Sequence, residues 1–424
     1  MFASEGPDGV KLPEAPVYVK QFTAATPCLA LRSGPAWEMV PPIDLLILGG
    51  GIVGAGVARD AALRGLSVTL LEKRTVGWGT SSRSSRLIHG GIRYLELGDI
   101  HLVHEALAER AILLRIAPHL VRPAPFLFVL DAGEYWQWAR VGVGVLLYRL
   151  LASGHGLGPH HPLTHQGLLE YEPLLARAPL VGGALYQDAR GDDFGLVRSN
   201  IAAAKAVGVR ICEHSHAQVH VRADGVSAIL PDGEVIRARS LVLALGPWTD
   251  AVRAEIGLES RGLVGGTKGI HVTFSGERLP LGHAIALRHP DDARVMFCIP
   301  EPEHGRVLVG TTDTETTESP DNLSVGDADV AYLLRAVRHL FPALDLVEGD
   351  ITGRWAGLRP LLRQQGATSG RTREHHILRE GRVLTVAGGK LTTYRKMAEE
   401  TVDLLSGILD RPLPPCRTAE LALP

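Results

Sequence analysis

The sequence predicts an α/β protein in which a parallel, nucleotide-holding sheet is interrupted by a mostly antiparallel one. Three observations carry this reading. An apolar run, Leu45 to Leu48, opens into Gly49-Gly50-Gly51-Ile52-Val53-Gly54 and a helix-like stretch, and a second apolar run then ends at Glu72. Residues 268–312 alternate apolar and polar in four short runs, KGIHVTF, HAIALRH, RVMFCIP and RVLVGTT. The chain returns near its end to a strand, a Gly-Gly turn and a helix in RVLTVAGGKLTTYRKMAEET. Nucleotide-type units at both ends with a period-2 sheet between them describe a Rossmann-like domain with an inserted, mostly antiparallel substrate-binding sheet.

The first unit occupies about residues 43–75. Gly49 allows the tight turn, Gly51 lets the backbone approach a pyrophosphate, and Gly54 lets helix and strand pack closely. The helix N-terminus offers N–H groups and a positive dipole end to phosphates. Glu72 closes the second strand, where a carboxylate can accept the hydroxyls of an adenosine ribose. Arg59 and Asp60 interrupt the apolar run well short of the ~20 residues a membrane span needs. The Ser/Thr-rich loop from Thr80 to Ser85 supplies hydroxyl and backbone donors for phosphate or ribityl oxygens. Residues 99–117 carry apolar side chains at helical spacing (Leu102, Leu107, Ile112, Leu113, Ile116), and Pro118 follows.

Residues 136–151, WQWARVGVGVLLYRLL, are apolar, aromatic and basic at once. Such a helix can lie in a membrane interface with Trp136, Trp138, Arg140 and Arg149 at headgroup level, or be a buried core helix, which is the favoured expectation. Residues 153–165 read as a Gly/Pro/His loop. Its histidines (His155, His160, His161, His165) have no acidic or Cys partner at ligand spacing, so no metal is expected. A helix is expected over 193–208, a strand over 209–212, a hairpin around Ala223-Asp224-Gly225, and a helix over 325–341. LVLALGPWTD (241–250) places Gly246 where a second strand end meets the same nucleotide. The expected organisation is an N-terminal extension, loosely ordered, over 1–42; a first cofactor-domain part over 43–135; a substrate-domain insertion with a possible membrane-facing segment over 136–190; a second cofactor-domain part over 191–260; the substrate-binding domain over 261–350; and a last cofactor-domain part over 351–424.

The 424 residues suit two domains or one large α/β domain with insertions, and the net charge of −2 gives no electrostatic case for nucleic acid. Cys28, Cys212, Cys298 and Cys416 form no CxxC pair, so a disulfide framework or zinc site is not expected, and a reducing compartment is the default. Residues 1–42 are rich in Pro and Ala and lack the pattern of a secretory signal. A cytoplasmic protein follows, with the inner membrane face as a peripheral location if the 136–151 helix docks. The sequence sets no oligomeric state.

The pattern suits hydride transfer to a flavin, which does the redox work while the protein orients substrate, takes a proton and stabilises charge on the ring. The helix after Gly388-Gly389-Lys390-Leu391-Thr392-Thr393 can point its N-terminus at the ring's pyrimidine edge. An anionic substrate needs fixed cations. Arg93 follows Gly90-Gly91, Arg359 sits in Gly357-Leu358-Arg359-Pro360, read as an exposed turn, and Lys390 follows the Gly-Gly pair. A secondary alcohol needs a base, and His271 on the alternating sheet is the candidate, with a structural role, water or Lys390 as alternatives.

GGGIVGAGVARDAALRGL, TSSRSSRLIHGGIRYLE, LVHEALAERAILLRIAPHL, GTTDTE, GLRPL and GGKLTTYRKMAE together resemble the FAD-dependent glycerol-3-phosphate dehydrogenases, within the wider D-amino-acid-oxidase-like flavoproteins. The resemblance covers about residues 43–400. It implies non-covalent FAD, oxidation of sn-glycerol 3-phosphate to dihydroxyacetone phosphate, and a quinone or oxygen as electron acceptor. It also implies that Arg93, His271, Arg359 and Lys390 form the substrate site, with Tyr94 beside them. In the same way it assigns Gly49, Gly51, Gly54, Glu72, Thr80, Ser81, Ser85 and His89 to FAD, with Val219 a backbone contact to the adenine side. Gly246, Gly389, Lys390, Leu391 and Thr392 complete the expected cofactor contacts. Family members usually carry a further helical domain after GGKLTTYRK, whereas this sequence ends at Pro424. A related flavoprotein acting on another small 2-hydroxy acid or an amine, and a flavin-binding protein without turnover, are the competing expectations.

Overall fold

The structure is a computed structural model that describes residues 41–92, 99–152, 157–259, 262–363 and 375–424. Arg93 and Tyr94, and the N-terminal extension up to residue 40, lie outside the described residues. In chain order the strands begin with β1 (Ile43–Leu48), β2 (Val68–Leu71), β3 (Leu87–Ile88), β4 (Val121–Asp131), β5 (His161–Thr164) and β6 (Leu180–Gly191). They continue with β7 (Arg210–Cys212), β8 (Gln218–Val221), β9 (Val226–Ile229), β10 (Val235–Leu243), β11 (Val264–Ser275) and β12 (Ala284–Arg288). The last are β13 (Val295–Glu301), β14 (Arg306–Gly310), β15 (Thr314–Glu315), β16 (Ile351–Leu362), β17 (His375–Glu380) and β18 (Val383–Gly388). The helices are α1 (Ile52–Leu63), α2 (Ile100–Ile116), α3 (Tyr135–Leu151), α4 (His165–Tyr171), α5 (Asp193–Ala206), α6 (Thr249–Glu255), α7 (Asp327–Leu340) and α8 (Tyr394–Leu409).

Among the described residues, two sheets organise the chain. The first runs β17-β18-β10-β1-β2-β7, with β9 beside β10 and β8 beside β9. Its centre, β18, β10, β1, β2 and β7, is parallel. Parallel strands are buried on both faces, so β1 and β2 read as near-continuous apolar runs, broken only by Asp44 and Thr69. Helices α1, α5 and α8 close one face with a core that includes Ile47, Leu70, Leu196, Tyr394 and Met397. α1 packs closely on α8 because a Cβ at Gly56 would lie 3.1 Å from the Tyr394 ring.

The second sheet runs β15-β11-β14-β13-β12-β4-β6-β3, with β16 paired to β11 and β5 to β6. All its pairs are antiparallel except β12 with β4. The alternating runs of 268–312 form β11 to β14, as expected. The expected boundaries differ, however. β3 and β4 fall within 43–135, and β16 within 351–424, yet all three belong to the second sheet. Alternation reports a half-buried strand, not which sheet it joins.

Two long strands, β4 and β6, were not legible. β4 contains Pro123 and Pro125, and β6 contains Gly182 and Gly183, which read as turn signals. Gly183 marks a close backbone approach, since a Cβ there would lie 1.9 Å from the Phe128 carbonyl oxygen on β4. Part of the expected 153–165 loop is β5, which pairs with β6.

The buried-core expectation for 136–151 is overturned. Helix α3 buries only Gly142, Val145 and Tyr148. Trp138 turns inward and donates Nε1–H to the Leu163 carbonyl at 2.8 Å. Trp136 is 74% and Leu150 67% exposed, and Val143, Leu146 and Leu147 are exposed on the same stripe. Val145 is fully buried on the inner face, while Val143, Leu146, Leu147 and Leu150 face out.

Candidate active site

A cleft of about 780 Å³ lies where the ends of the parallel strands meet the face of the second sheet. This volume is that of a cofactor-and-substrate site. At one end Gly49 has φ +105°, a conformation that favours glycine, and a Cβ there would lie 2.4 Å from the Ala244 carbonyl oxygen. Gly54 touches the same turn, since its Cβ would meet the Gly49 carbonyl oxygen at 1.9 Å. It serves helix–strand packing and does not line the cleft, whereas Gly49 and Gly51 do. Glu72 lines the cleft and holds the turn, its carboxylate accepting from Gly50 N at 2.6 Å and Arg74 N at 2.8 Å. Each oxygen keeps a second acceptor site that a ribose hydroxyl can use.

The Thr80–Ser85 loop also lines the cleft, but several of its hydroxyls are committed. Thr80 donates to the Leu358 carbonyl at 2.7 Å. Ser81 Oγ accepts from Ile52 N, the first amide of α1, at 3.0 Å. Ser85 Oγ meets His271 Nε2 at 3.0 Å. His89 lines the cleft, and its backbone N–H donates to Thr392 Oγ1 at 3.2 Å. Gly246 lines it from the turn after β10. Gly388 and Gly389, with φ of +76° and +81°, turn the chain from β18 toward α8, so that Gly389, Lys390, Leu391 and Thr392 line the cleft before the helix begins. Val219 lies on β8 and is not among the lining residues, which on that side are Ser215, His216 and Ala217. A narrow glycine cradle, a carboxylate at one end and a Gly-Gly turn with a helix N-terminus fit an extended flavin dinucleotide.

The second sheet contributes His271 and Arg359. On β11, His271 sits opposite Gly310 of β14 and Trp355 of β16. Its ring stacks on Trp355 with centroids 5.4 Å apart, and a Cβ at Gly310 would lie 2.2 Å from its Cδ2. Burial, then the nearby Arg359 and Arg86 charges, push the imidazole down to about 3, so it is neutral at physiological pH. Arg359 lies within β16 and not in an exposed turn, because GLRPL continues the strand against Gly265–Gly269 of β11. Its fork is set by the Thr311–Asp313 segment. Nη2 donates to Thr311 Oγ1 at 2.9 Å, and Nη1 to the Thr312 carbonyl at 3.0 Å and Asp313 Oδ1 at 2.8 Å. A Cβ at Gly269 would lie 2.6 Å from Thr311 Oγ1 and 2.9 Å from Arg359 Nη2, so glycine there leaves room for the Arg359 fork, while a Cβ at Gly357, opposite it, would lie 2.9 Å from the Arg83 carbonyl oxygen.

Several site residues lay beyond sequence reasoning. Trp78 is covered by Arg74 and Arg83, whose guanidinium carbons lie 3.9 and 4.3 Å from its ring centroid. Asp321 accepts from Lys73, Arg74 and Trp248 and so brings the Ser319–Asp321 loop across the cleft. Asp193, pushed up to about 6 by burial, holds Ser84. The Asp321 and Asp193 pairings join distant parts of the chain, and no local spacing announces them.

A profile described as FAD dependent oxidoreductase matches residues 44–395. An aerobic glycerol-3-phosphate dehydrogenase of Staphylococcus saprophyticus is 35% identical over 374 residues, covering 86% of this chain and 67% of the relative. The FAD complex of a glycerol-3-phosphate dehydrogenase from Bacillus halodurans superposes with a TM-score of 0.72 at 31% identity, covering 90% of this chain and 68% of that one. An FAD-bound L-alpha-glycerophosphate oxidase from Mycoplasma pneumoniae shares the fold, with a TM-score of 0.71 at 17% identity, covering 91% of this chain and all of that one.

Proposed function

The chain belongs to the FAD-dependent oxidoreductase family, and we propose that it oxidises sn-glycerol 3-phosphate to dihydroxyacetone phosphate with FAD held non-covalently in the cleft. The observation that carries the substrate reading is the convergence of His271, Arg359 and Lys390, from separate elements, on the cleft that the glycine turn also lines. Gly49, Gly51, Glu72, His89, Gly246 and the Gly389–Thr392 segment would hold FAD, which when bound supplies the hydride acceptor.

The protein's part is orientation and proton movement. The Arg359 fork, already aimed by Thr311 and Asp313, suits bidentate contact with a phosphate dianion. Arg93 and Tyr94 are proposed to join it, on the strength of the resemblance. His271 takes the proton from the secondary hydroxyl. A dianion beside Arg359 offsets one of the charges that hold the imidazole down, so substrate binding itself strengthens the base. Lys390 and the N-terminus of α8 offer positive potential to charge developing on the ring.

The electrons are proposed to pass to a quinone or to oxygen. No helix among the described residues is long and apolar enough to cross a membrane. The exposed Trp136, Val143, Leu146 and Leu150 stripe, with Arg140 and Arg149 and no acidic residue from 135 to 151, supports a peripheral seat on an anionic membrane face. Turnover of sn-glycerol 3-phosphate with a dye acceptor, then with oxygen alone, tests the function and separates the acceptors. Turnover with neither would contradict it.

A further inference from the structure

The loop over 316–326, between β15 and α7, is held by the second sheet at its base and by the first sheet at its tip. At the base, Glu318 accepts from Lys268 Nζ of β11 and, across the loop, from Ser324 N, both at 2.9 Å. At the tip, Asp321 Oδ2 accepts from Lys73 Nζ and from Trp248 Nε1, both at 3.1 Å, and Oδ1 from Arg74 Nη2 at 3.4 Å. Lys73 and Arg74 follow β2, and Trp248 follows β10, so one carboxylate ties two turns of the parallel sheet to a loop of the antiparallel one. Burial raises the Asp321 pKa, but the bonds from Trp248 and Lys73 and the Lys73 and Arg74 charges outweigh it and hold the carboxyl below its ordinary value.

Arg74 carries this tie to the cofactor end of the cleft. Its backbone N–H donates to Glu72 Oε1 at 2.8 Å. Its guanidinium carbon lies 3.9 Å from the centroid of the Trp78 ring, and that ring packs against Trp248 with centroids 6.1 Å apart. Glu72, Lys73, Arg74, Trp78, Trp248 and Asp321 all line the cleft. We propose that Asp321 is a positioning residue for the cofactor: it straps the Ser319–Asp321 loop onto Lys73, Arg74 and Trp248, keeps Arg74 set beside Glu72, and so slows the release of FAD from that end of the cleft. It rests on FAD being held non-covalently there. The strap is ionic and partly exposed, so salt loosens it.

The test compares holoprotein of the wild type, Asp321→Asn and Asp321→Ala. FAD release on dilution is followed by flavin fluorescence from about 0.1 to 1 M sodium chloride, over which the screening length falls from about 10 to 3 Å. The asparagine keeps an acceptor for Trp248 and removes the charge that Lys73 and Arg74 meet. At low salt, release should be roughly 3- to 10-fold faster from Asp321→Asn, as for two part-exposed ion pairs, and at least as fast from Asp321→Ala. Salt should speed release from the wild type toward the Asp321→Asn rate, and the variant should respond less. Equal rates and equal salt responses in wild type and Asp321→Asn overturn the proposal. So does a variant whose apoprotein melts lower while its holoprotein releases FAD at the wild-type rate, since Asp321 is then structural only. A wild-type release rate indifferent to salt overturns it as well, whether or not Asp321→Ala folds. A wild type purified without FAD removes the cofactor reading itself, and the strap's role with it.

Discussion

At the residue scale, the site is defined by what each side chain is already doing before a ligand arrives. His271 is held neutral by burial and by two arginines, down to about 3 from an ordinary 6.5. As the proton acceptor it contributes about 10²–10⁴-fold in rate, so His271→Gln should slow anaerobic flavin reduction by that order. A loss of affinity with the rate intact would make it a binding residue. Its depressed pKa also affects stability. Below 6.5 the unfolded chain takes up a proton that the folded ring refuses until about 3. Stability from this group is therefore present above 6.5 and lost as pH falls toward 3, and His271→Gln should lose less than the wild type in acid-side melting curves. Arg359→Lys keeps the charge but loses the fork, and the lost charge-assisted bonds, about 1.5–3 kcal/mol, should raise KM for glycerol 3-phosphate roughly 10- to 100-fold. An unchanged KM would place the phosphate elsewhere. In Glu72→Gln the amide nitrogen cannot accept, so one of the two backbone contacts at Gly50 and Arg74 is lost, and apoprotein titration should show weaker FAD binding with the fold intact.

At the element scale, the first βαβ unit was legible almost to the residue, because a parallel strand, a glycine turn and a helix cap leave signals within a short window. The β11–β14 meander was legible for the same reason. β4 and β6 were not, since their prolines and glycines are tolerated only through pairing with one another across a long separation. Arg359 was found, but on the wrong element: only the β11 partner shows that GLRPL stays in a strand. For α3 the composition was clear and the outward face was not, because which stripe is buried depends on β5 and β6. If that face seats on an anionic bilayer, the protein should sediment with vesicles of anionic lipid, and a Trp136→Glu/Leu150→Glu double variant should stay in solution with its dye-coupled activity unchanged. Equal vesicle binding by both would remove α3 from the membrane contact.

At the scale of the whole molecule, function arises from apposing two sheets of different character. The parallel sheet presents its strand ends, the glycine turn and the α8 N-terminus. The antiparallel sheet presents a face on which Gly310 leaves room for His271 and Gly269 for Arg359. Neither sheet alone encloses the cleft, which explains why sequence motifs named its residues while the geometry that unites them, such as Ser85 on His271, did not show. The central claim, that this cleft holds FAD and passes it a hydride from glycerol 3-phosphate, is tested most directly by anaerobic titration of the purified holoprotein followed by flavin absorbance. The account predicts that sn-glycerol 3-phosphate bleaches the flavin and yields dihydroxyacetone phosphate in equal amount, while glycerol, lacking the phosphate for Arg359, does so poorly. A flavin that stays oxidised with sn-glycerol 3-phosphate, or a protein from which acid releases no FAD, would contradict it.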